Sequence, residues 1–293
     1  MAKSTETIQG ITMARNWNRR EVALTVKAYL DMLEAELAGR PINKAAVRRA
    51  LLPKLDNRSN GSLEFKNCNI SAAMISMGLP PIDGYKPRWN YQHDLLHAVI
   101  GESLRSRQGL FETVEEAVER RAERPDVSDI LSIFDPAIPE RGEIYGSLRE
   151  TIEMPDVVPR DYLEQETRNR SIGLAGEKLV LEFERSRLIS LNREKLADRI
   201  EHVSIGRGDG EGFDVRSFDE HGKDLFIEVK TTQFRKEAPF FISANEVRFS
   251  ERNSDHYSLY RVYAFTKNPK LFMLPGNVTK RCHLSPTAFR ASF

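Results

Sequence analysis

An aspartate at position 214 closes the glycine-rich run GRGDGEGFD. One hairpin length later, Glu228 and Lys230 interrupt the otherwise apolar stretch LFIEVKTT. Residues two apart on a strand point to the same side. Glu228 and Lys230 are therefore expected to project with Phe226, while Ile227 and Val229 turn to the opposite face. Gly212 permits a tight turn just before Asp214. If the two strands pair as a hairpin, the Asp214 and Glu228 carboxylates converge. Paired carboxylates suit a divalent cation that prefers hard oxygen ligands, Mg²⁺ above all. An adjacent ammonium can steady a phosphate or a nucleophilic water, and the metal would acidify that water and offset charge on a phosphodiester. The competing account is a cross-strand ion pair on a solvated face, which "EVK" taken alone favours.

The elements around these residues must hold them in place. A helical pattern runs through GLAGEKLVLEFERSRLI, followed by a strand at IEHVSI and the glycine turn. Strands at GFDVRSF and LFIEVKTT come next, then a helix start at SANEV and a strand at YSLYRVYAF. That order predicts an α/β domain with a mixed central sheet. Glu177, near the expected start of the first helix, is a third acidic candidate; the plainer account is a favourable charge at a helix N-terminus. Ser243 and Glu246 form an S-x-x-E capping box, so Glu246 reads as a helix cap rather than a ligand. Arg261 and its neighbouring tyrosines read as stabilisers of the last strand, with a phosphate role for Arg261 as the lesser account.

The ordered set Gly173–Glu177 (GLAGE), Gly208–Asp214 (GDGEGFD), Ile227–Thr232 (IEVKTT), Ser243–Glu246 (SANE) and Tyr257–Val262 (YSLYRV) resembles the protein NO VEIN C-terminal domain family. That family in turn resembles the Mrr-like branch of the PD-(D/E)xK nucleases, giving a restriction-endonuclease-like fold. The resemblance extends over about residues 161–293, down to CHLSPTAFRA. It implies that Asp214 and Glu228 are metal ligands for Mg²⁺ or Mn²⁺, Lys230 the catalytic lysine and Glu177 an accessory acid. The first motif element here is F-D rather than P-D.

The first half reads as all-α. Apolar residues at Val22, Val26, Tyr29, Leu30, Leu33 and Leu37 mark one helix face, with Asn18 and Glu21 as a capping pair. Further helices are expected after Asn43, at SLEFKNCNISAAMISM, from Asn90 to Arg107, and from a Thr113/Glu116 cap. Three short helices with a turn before the third outline a helix-turn-helix-like module, in which Glu64, Lys66, Asn67 and Asn69 could face a DNA groove. Small bundles that never touch DNA share this outline. The loop GYKPRWNYQ brings Lys86 and Arg88 beside aromatics, as a backbone-contacting surface or a packed lid. Gln233, Arg235 and Lys236 follow the acidic site and could reach phosphate, although solvated loop charge is the plainer account for each alone. The stretch from Trp17 to Gln92 is similar to modules of predicted restriction-type nucleases, which implies target recognition.

Charge follows the same division. Residues 1–90 balance at +6, residues 91–160 at −7 and residues 161–293 at +2, which fits a phosphate-facing module joined to a solvated connector, or equally a random spread of surface charge. We therefore expect a helical DNA-recognition domain over 1–125, an acidic linker with Pro136, Pro139, Pro155 and Pro159 over 126–160, and the nuclease-like domain over 161–293. His93 and His97 in HDLLH have zinc-ligand spacing, but no third ligand is evident and ordinary helix-surface or packed histidines are the better reading. GRGDGEG lacks the spacing of a dinucleotide loop. Two distant cysteines, no apolar span and no secretory leader point to a reducing cytoplasm and no membrane partner. The expected activity is restriction- or defence-type cleavage of double-stranded DNA, by a homodimer because a duplex needs two cuts. A non-catalytic nucleic-acid-binding or interaction module with the same fold and an RNA-cleaving enzyme remain as alternatives.

Overall fold

The computed structural model describes residues 16–119, 125–139, 161–207 and 210–287. The linker portion 140–160, with Pro155 and Pro159, and the end of CHLSPTAFRA lie outside them.

The first half is all-α: α1 (Arg19–Leu37), α2 (Lys44–Leu51), α3 (Asn60–Ser76), α4 (His93–Arg105) and α5 (Gln108–Glu119). α1 starts where the sequence predicts it. The Asn18 side chain accepts from the Glu21 amide and Glu21 returns the bond to the Asn18 amide, which completes a capping box. Its apolar face packs Val22, Val26, Leu30 and Leu33 against Ile70 and Met74 of α3 and against Val99 and Ile100 of α4. α5 begins five residues before the expected Thr113 cap, and Thr113 Oγ1 instead donates back to Gly109 O within the helix.

The main departure in the helical half is α3. Residues 66–75 are buried without a break, so α3 is the central helix of the bundle rather than one presented to a groove. Lys66 is 4 % exposed and lies 5.0 Å from the Trp17 ring centroid; Asn69 donates to Arg88 O and Asn90 O.

In the second half α6 (Tyr162–Arg168) and α7 (Arg170–Ser190) lead through the short α8 (Glu194–Ala197) into β1 (Glu201–His202), α9 (Val203–Arg207), β2 (Val215–Phe218) and β3 (Asp224–Thr231). Next come α10 (Ala244–Arg252), β4 (Tyr257–Tyr263), β5 (Lys270–Pro275) and α11 (Val278–Arg281). The five strands stand in sequence order, antiparallel except for the parallel β3/β4 pair, whose crossover carries α10. The sheet is mixed, as expected.

Period-two alternation divides β3 between two covers. Ile227 and Val229 join Val215, Tyr260 and Val262 under the α7 stripe Ile172, Ala175, Leu179, Val180 and Phe183. Phe226 joins Leu259, Phe272 and Leu274 under Phe249 of α10 and Val278 of α11. Glu228 and Lys230 share the second face.

Two segments cross the expected boundaries. Residues 126–139, expected to be linker, pack Val127, Ile130, Leu131 and Ile133 into the α7 side of the sheet, and Phe134 bridges Leu271. α6, expected to belong with the nuclease-like unit, sends Tyr162 into the helical core and bonds its amide to Gly78 O.

Candidate active site

Asp214 is placed by its glycine. Gly212 has φ +88°, and a Cβ there would stand 2.8 Å from Phe249 Cβ, so both backbone and space call for glycine. The close approach lets Phe213, Phe226 and Phe249 pack with centroids 4.8–5.3 Å apart. Asn245, at the start of α10, ties the loop down by donating to Gly210 O. The Asp214 amide donates to Ile227 O (2.9 Å), which extends the hairpin ladder by one residue. Its Oδ2 accepts from the Val229 amide (2.8 Å), so the carboxylate is turned across the hairpin toward β3.

On β3, Glu228 is 3 % exposed and its Oε1 lies 2.7 Å from Lys230 Nζ. Lys230 Nζ also donates to Glu246 Oε2 (2.9 Å). Glu246 is thus both the reciprocal partner in the Ser243 capping box and an acid of the site. The sequence reading found only the first role, because the second depends on α10 crossing over the end of β3.

Glu177 arrives from the other cover. It lies in the third turn of α7, too far from the helix end for the N-terminal-charge account. At Gly176 an added Cβ would stand 1.8 Å from Thr231 Oγ1, so only glycine lets α7 press onto β3 here. Glu177 Oε2 accepts from Ser204 Oγ (2.6 Å) and pairs with His202 Nε2 (2.5 Å). Both partners come from the turn where the expected strand IEHVSI stops at His202 and coils into α9, because the Val203 and Ser204 amides both bond to Asp214 O. His202 and Ser204 were missed in the sequence for that reason.

The structure gathers Glu177, Asp214, Glu228, Lys230, Glu246 and Arg261 around one cleft of about 260 Å³. Its electrostatics are those of crowded, dry acids. Burial pushes the Asp214 carboxyl up to about 7, with Glu177 and Glu246 adding to the rise against the Val229 amide and Lys230. Burial raises Glu228 well above the usual carboxylate range, reinforced by Asp214 and Glu246 and opposed by Lys230. Burial works against the Lys230 ammonium, but Glu228 and Glu246 outweigh it and keep the group protonated. Six buried side-chain polar atoms lack a partner among the described residues. Three of them, Thr231 Oγ1, Tyr257 Oη and Arg261 Nε, belong to β3 and β4 around this cluster. Natural interiors leave few such groups, and half of the six lie on these two strands.

The donor chemistry fits a divalent cation. Asp214 spends Oδ2 on Val229 and Glu228 spends Oε1 on Lys230, while Asp214 Oδ1 and Glu228 Oε2 accept no hydrogen bond among the described residues. Among those residues no third His, Cys, Asp or Glu completes a metal-binding group. Further ligands would be solvent and substrate oxygens, the usual arrangement for Mg²⁺.

The residues expected to contact DNA do not gather here. Lys66, Asn67 and Asn69 are buried in α3, a correction whose cause is the central position of that helix. Burial, with Arg58 nearby, lowers the Lys66 ammonium to about 8. Gln233 donates to Ala117 O and its amide to Glu166, Arg235 pairs with Glu237, and Lys236 holds Asp135 and Ala137 O. Gln233 and Lys236 thus tie distant chain segments together, and Arg235 is held locally by Glu237. Lys86 and Arg88 are exposed, and Arg88 covers the Phe65 ring. The His93 and His97 rings lie 4.0 Å apart, tilted by 34°, and His97 Nε2 meets the Ser76 and Tyr91 hydroxyls, so of the two ordinary accounts packing applies.

No helix among the described residues is long and apolar enough to cross a membrane. No curated protein and no solved structure matches the chain. One family does, over a shorter span than expected: residues 176–274, from Gly176 on α7 to Leu274 on β5 and including every residue of the cluster, match the family described as Protein NO VEIN, C-terminal.

Proposed function

We propose that the protein is a metal-dependent endonuclease that hydrolyses phosphodiester bonds in double-stranded DNA, in the manner of restriction or defence enzymes. The observation that carries this reading is the convergence of Asp214, Glu228 and Lys230 on one cleft, with the two carboxyls raised by burial. Mg²⁺ or Mn²⁺ held by Asp214 and Glu228 would supply charge neutralisation at a phosphate and a more acidic water. Lys230 stays cationic between Glu228 and Glu246 and offers its remaining N–H to a phosphate oxygen or to the attacking water. Glu177, fixed by His202 and Ser204, is a further acidic side chain lining the cleft with Asp214 and would act as an accessory acid beside a bound cation. The Phe213–Phe226–Phe249 cluster keeps solvent from one wall. Two cuts in a duplex call for two such sites, so a homodimer in the cytoplasm is part of the proposal, with the helical half docking DNA.

The test is nicking of supercoiled plasmid with Mg²⁺ or Mn²⁺ by the wild type and Lys230→Ala. Metal-dependent nicking by the wild type alone is expected; equal rates in both would remove Lys230 from the chemistry. The pairing of Lys230 with two carboxylates favours a second reading, a nucleic-acid-binding module without catalysis. Calorimetry that finds DNA binding but no Mg²⁺ or Mn²⁺ binding would select it. RNA in place of the plasmid separates the ribonuclease variant.

A further inference from the structure

Arg261 is the largest fully buried side chain among the described residues, 2 % exposed, and stands beside Lys230 in the parallel β3/β4 register. A guanidinium remains charged under any ordinary condition, and a buried one is normally paired. This one is not. Nη2 donates to Ala238 O (3.2 Å), with a longer contact to Pro239 O (3.5 Å), and the group lies 5.4 Å from the Phe240 ring centroid. Nε is buried without an acceptor, and Arg261 forms no ion pair among the described residues. Glu166, whose charge acts on it from a distance, has both oxygens committed, one to Thr232 Oγ1 and one to the Gln233 amide.

A neutral donor would serve the two loop carbonyls equally well, so they do not explain a charge. The cleft does: Arg261 lines it together with Asp214, Glu228 and Lys230. Lys230 has its carboxylates already, whereas Arg261 keeps an unpartnered Nε–H and has no carboxylate in contact among the described residues. A planar fork of that kind matches the oxygens of a phosphate.

We propose that Arg261 is the oxyanion receptor of this cleft and takes a non-bridging oxygen of a nucleic-acid phosphodiester on its Nε edge. The identity of the anion rests on the nuclease reading, whereas the receptor itself rests on the unpaired guanidinium. Arg261 thereby positions the backbone with its reacting phosphorus against the Lys230 side of the cleft.

The experiment reads binding and no turnover. In full-length protein labelled with ¹⁵N-arginine, Arg261→Lys removes one Nε–H resonance and so assigns it. Should that variant fail to fold, contacts to the Phe240 ring assign the same signal. A short DNA duplex is then titrated in EDTA and again with Ca²⁺, with inorganic phosphate as a parallel arm. Movement of the Arg261 signal with the duplex, and about 10- to 100-fold weaker duplex binding by Arg261→Lys, are expected. Movement with phosphate alone would keep the receptor but assign it to a free phosphate, overturning the backbone assignment. A signal that stays still with both probes in both conditions overturns the proposal entirely. A protein that binds this way and never nicks plasmid separates the two readings, as does one that nicks with its Arg261 signal unmoved.

Discussion

Two capping boxes close helices in the two halves of the molecule, and in both the glutamate goes on to meet a cation. At the start of α1, Glu21 serves Asn18 and also receives Arg58 through Nε and Nη2, each at 2.8 Å, with the Asp56 amide adding a third donor. The carboxylate is fully buried and its charge is matched; the Arg58 hydrogen bond, against a burial penalty, holds it down at about 2. At the start of α10, Glu246 serves Ser243 and receives Lys230, but that lysine is shared with Glu228, and Asp214 stands by with no cation in contact. Here burial drives carboxyls up rather than leaving them low. The same local signal therefore ends in a finished ion pair in one half and in an unfinished one in the other. Buried charge alone does not mark a site. Buried charge without enough partners does.

The sharpest way to break that contrast is a pair of exchanges read by both activity and stability. Lys230→Ala should lower nicking by about 10³-fold or more. Glu21→Ala should leave the rate of the folded fraction unchanged while costing about 3 to 5 kcal/mol in urea unfolding, because it strands Arg58. A Glu21→Ala protein that loses its rate while folded would collapse the distinction.

Acidity gives the next test, made in EDTA by following unfolding against pH. Glu21 is depressed in the fold from 4.5 to about 2, so its contribution is present above pH 4.5 and is lost as pH falls toward 2. The wild type should lose about 3 kcal/mol relative to Glu21→Gln across that window. Asp214 is raised from 3.8 to about 7, so its contribution is present below pH 3.8 and is lost as pH rises through 7. Relative to Asp214→Asn the wild type should lose about 4 kcal/mol as pH climbs. Slopes of the same sign would contradict the contrast.

A smaller effect is expected at the α7 contact. Gly176→Ala puts a methyl into Thr231 Oγ1 and should cost about 1 to 3 kcal/mol, with partial recovery in Gly176→Ala/Thr231→Ala. The smallest effects belong to the caps themselves. Asn18→Ala and Ser243→Ala should each cost about 1 kcal/mol by thermal unfolding, yet only Ser243→Ala should slow nicking, because only its box holds a residue of the cleft.

Much of this was readable in the chain. The period-two face of Glu228 and Lys230, the turn at Gly212 and the Asn18–Glu21 box are local, set by residues a few positions apart. What escaped the sequence is contact between distant segments. Lys66, Asn67 and Asn69 look solvent-facing until Trp17 and the carbonyls of Arg88 and Asn90 close over them. Residues 126–139 look like linker because their apolar residues come in short pieces broken by aspartates and prolines, and only the sheet face they cover gives those pieces a use. The turn at His202 follows from amide bonds to Asp214 O that no periodicity encodes.

The position of α6 bears on how this chain can be divided. Glu166, carried on that short helix, holds Thr232 and Gln233 at the exit of β3, while neighbouring Tyr162 is buried among α1–α5. A fragment trimmed to residues 176–274 would leave behind that carboxylate, together with Ile133, Ile172 and Ala175 from the roof over the sheet. The recognisable stretch is thus shorter than the self-supporting one, and expression boundaries drawn from it alone would uncover a greasy face and slacken the strand that carries Lys230.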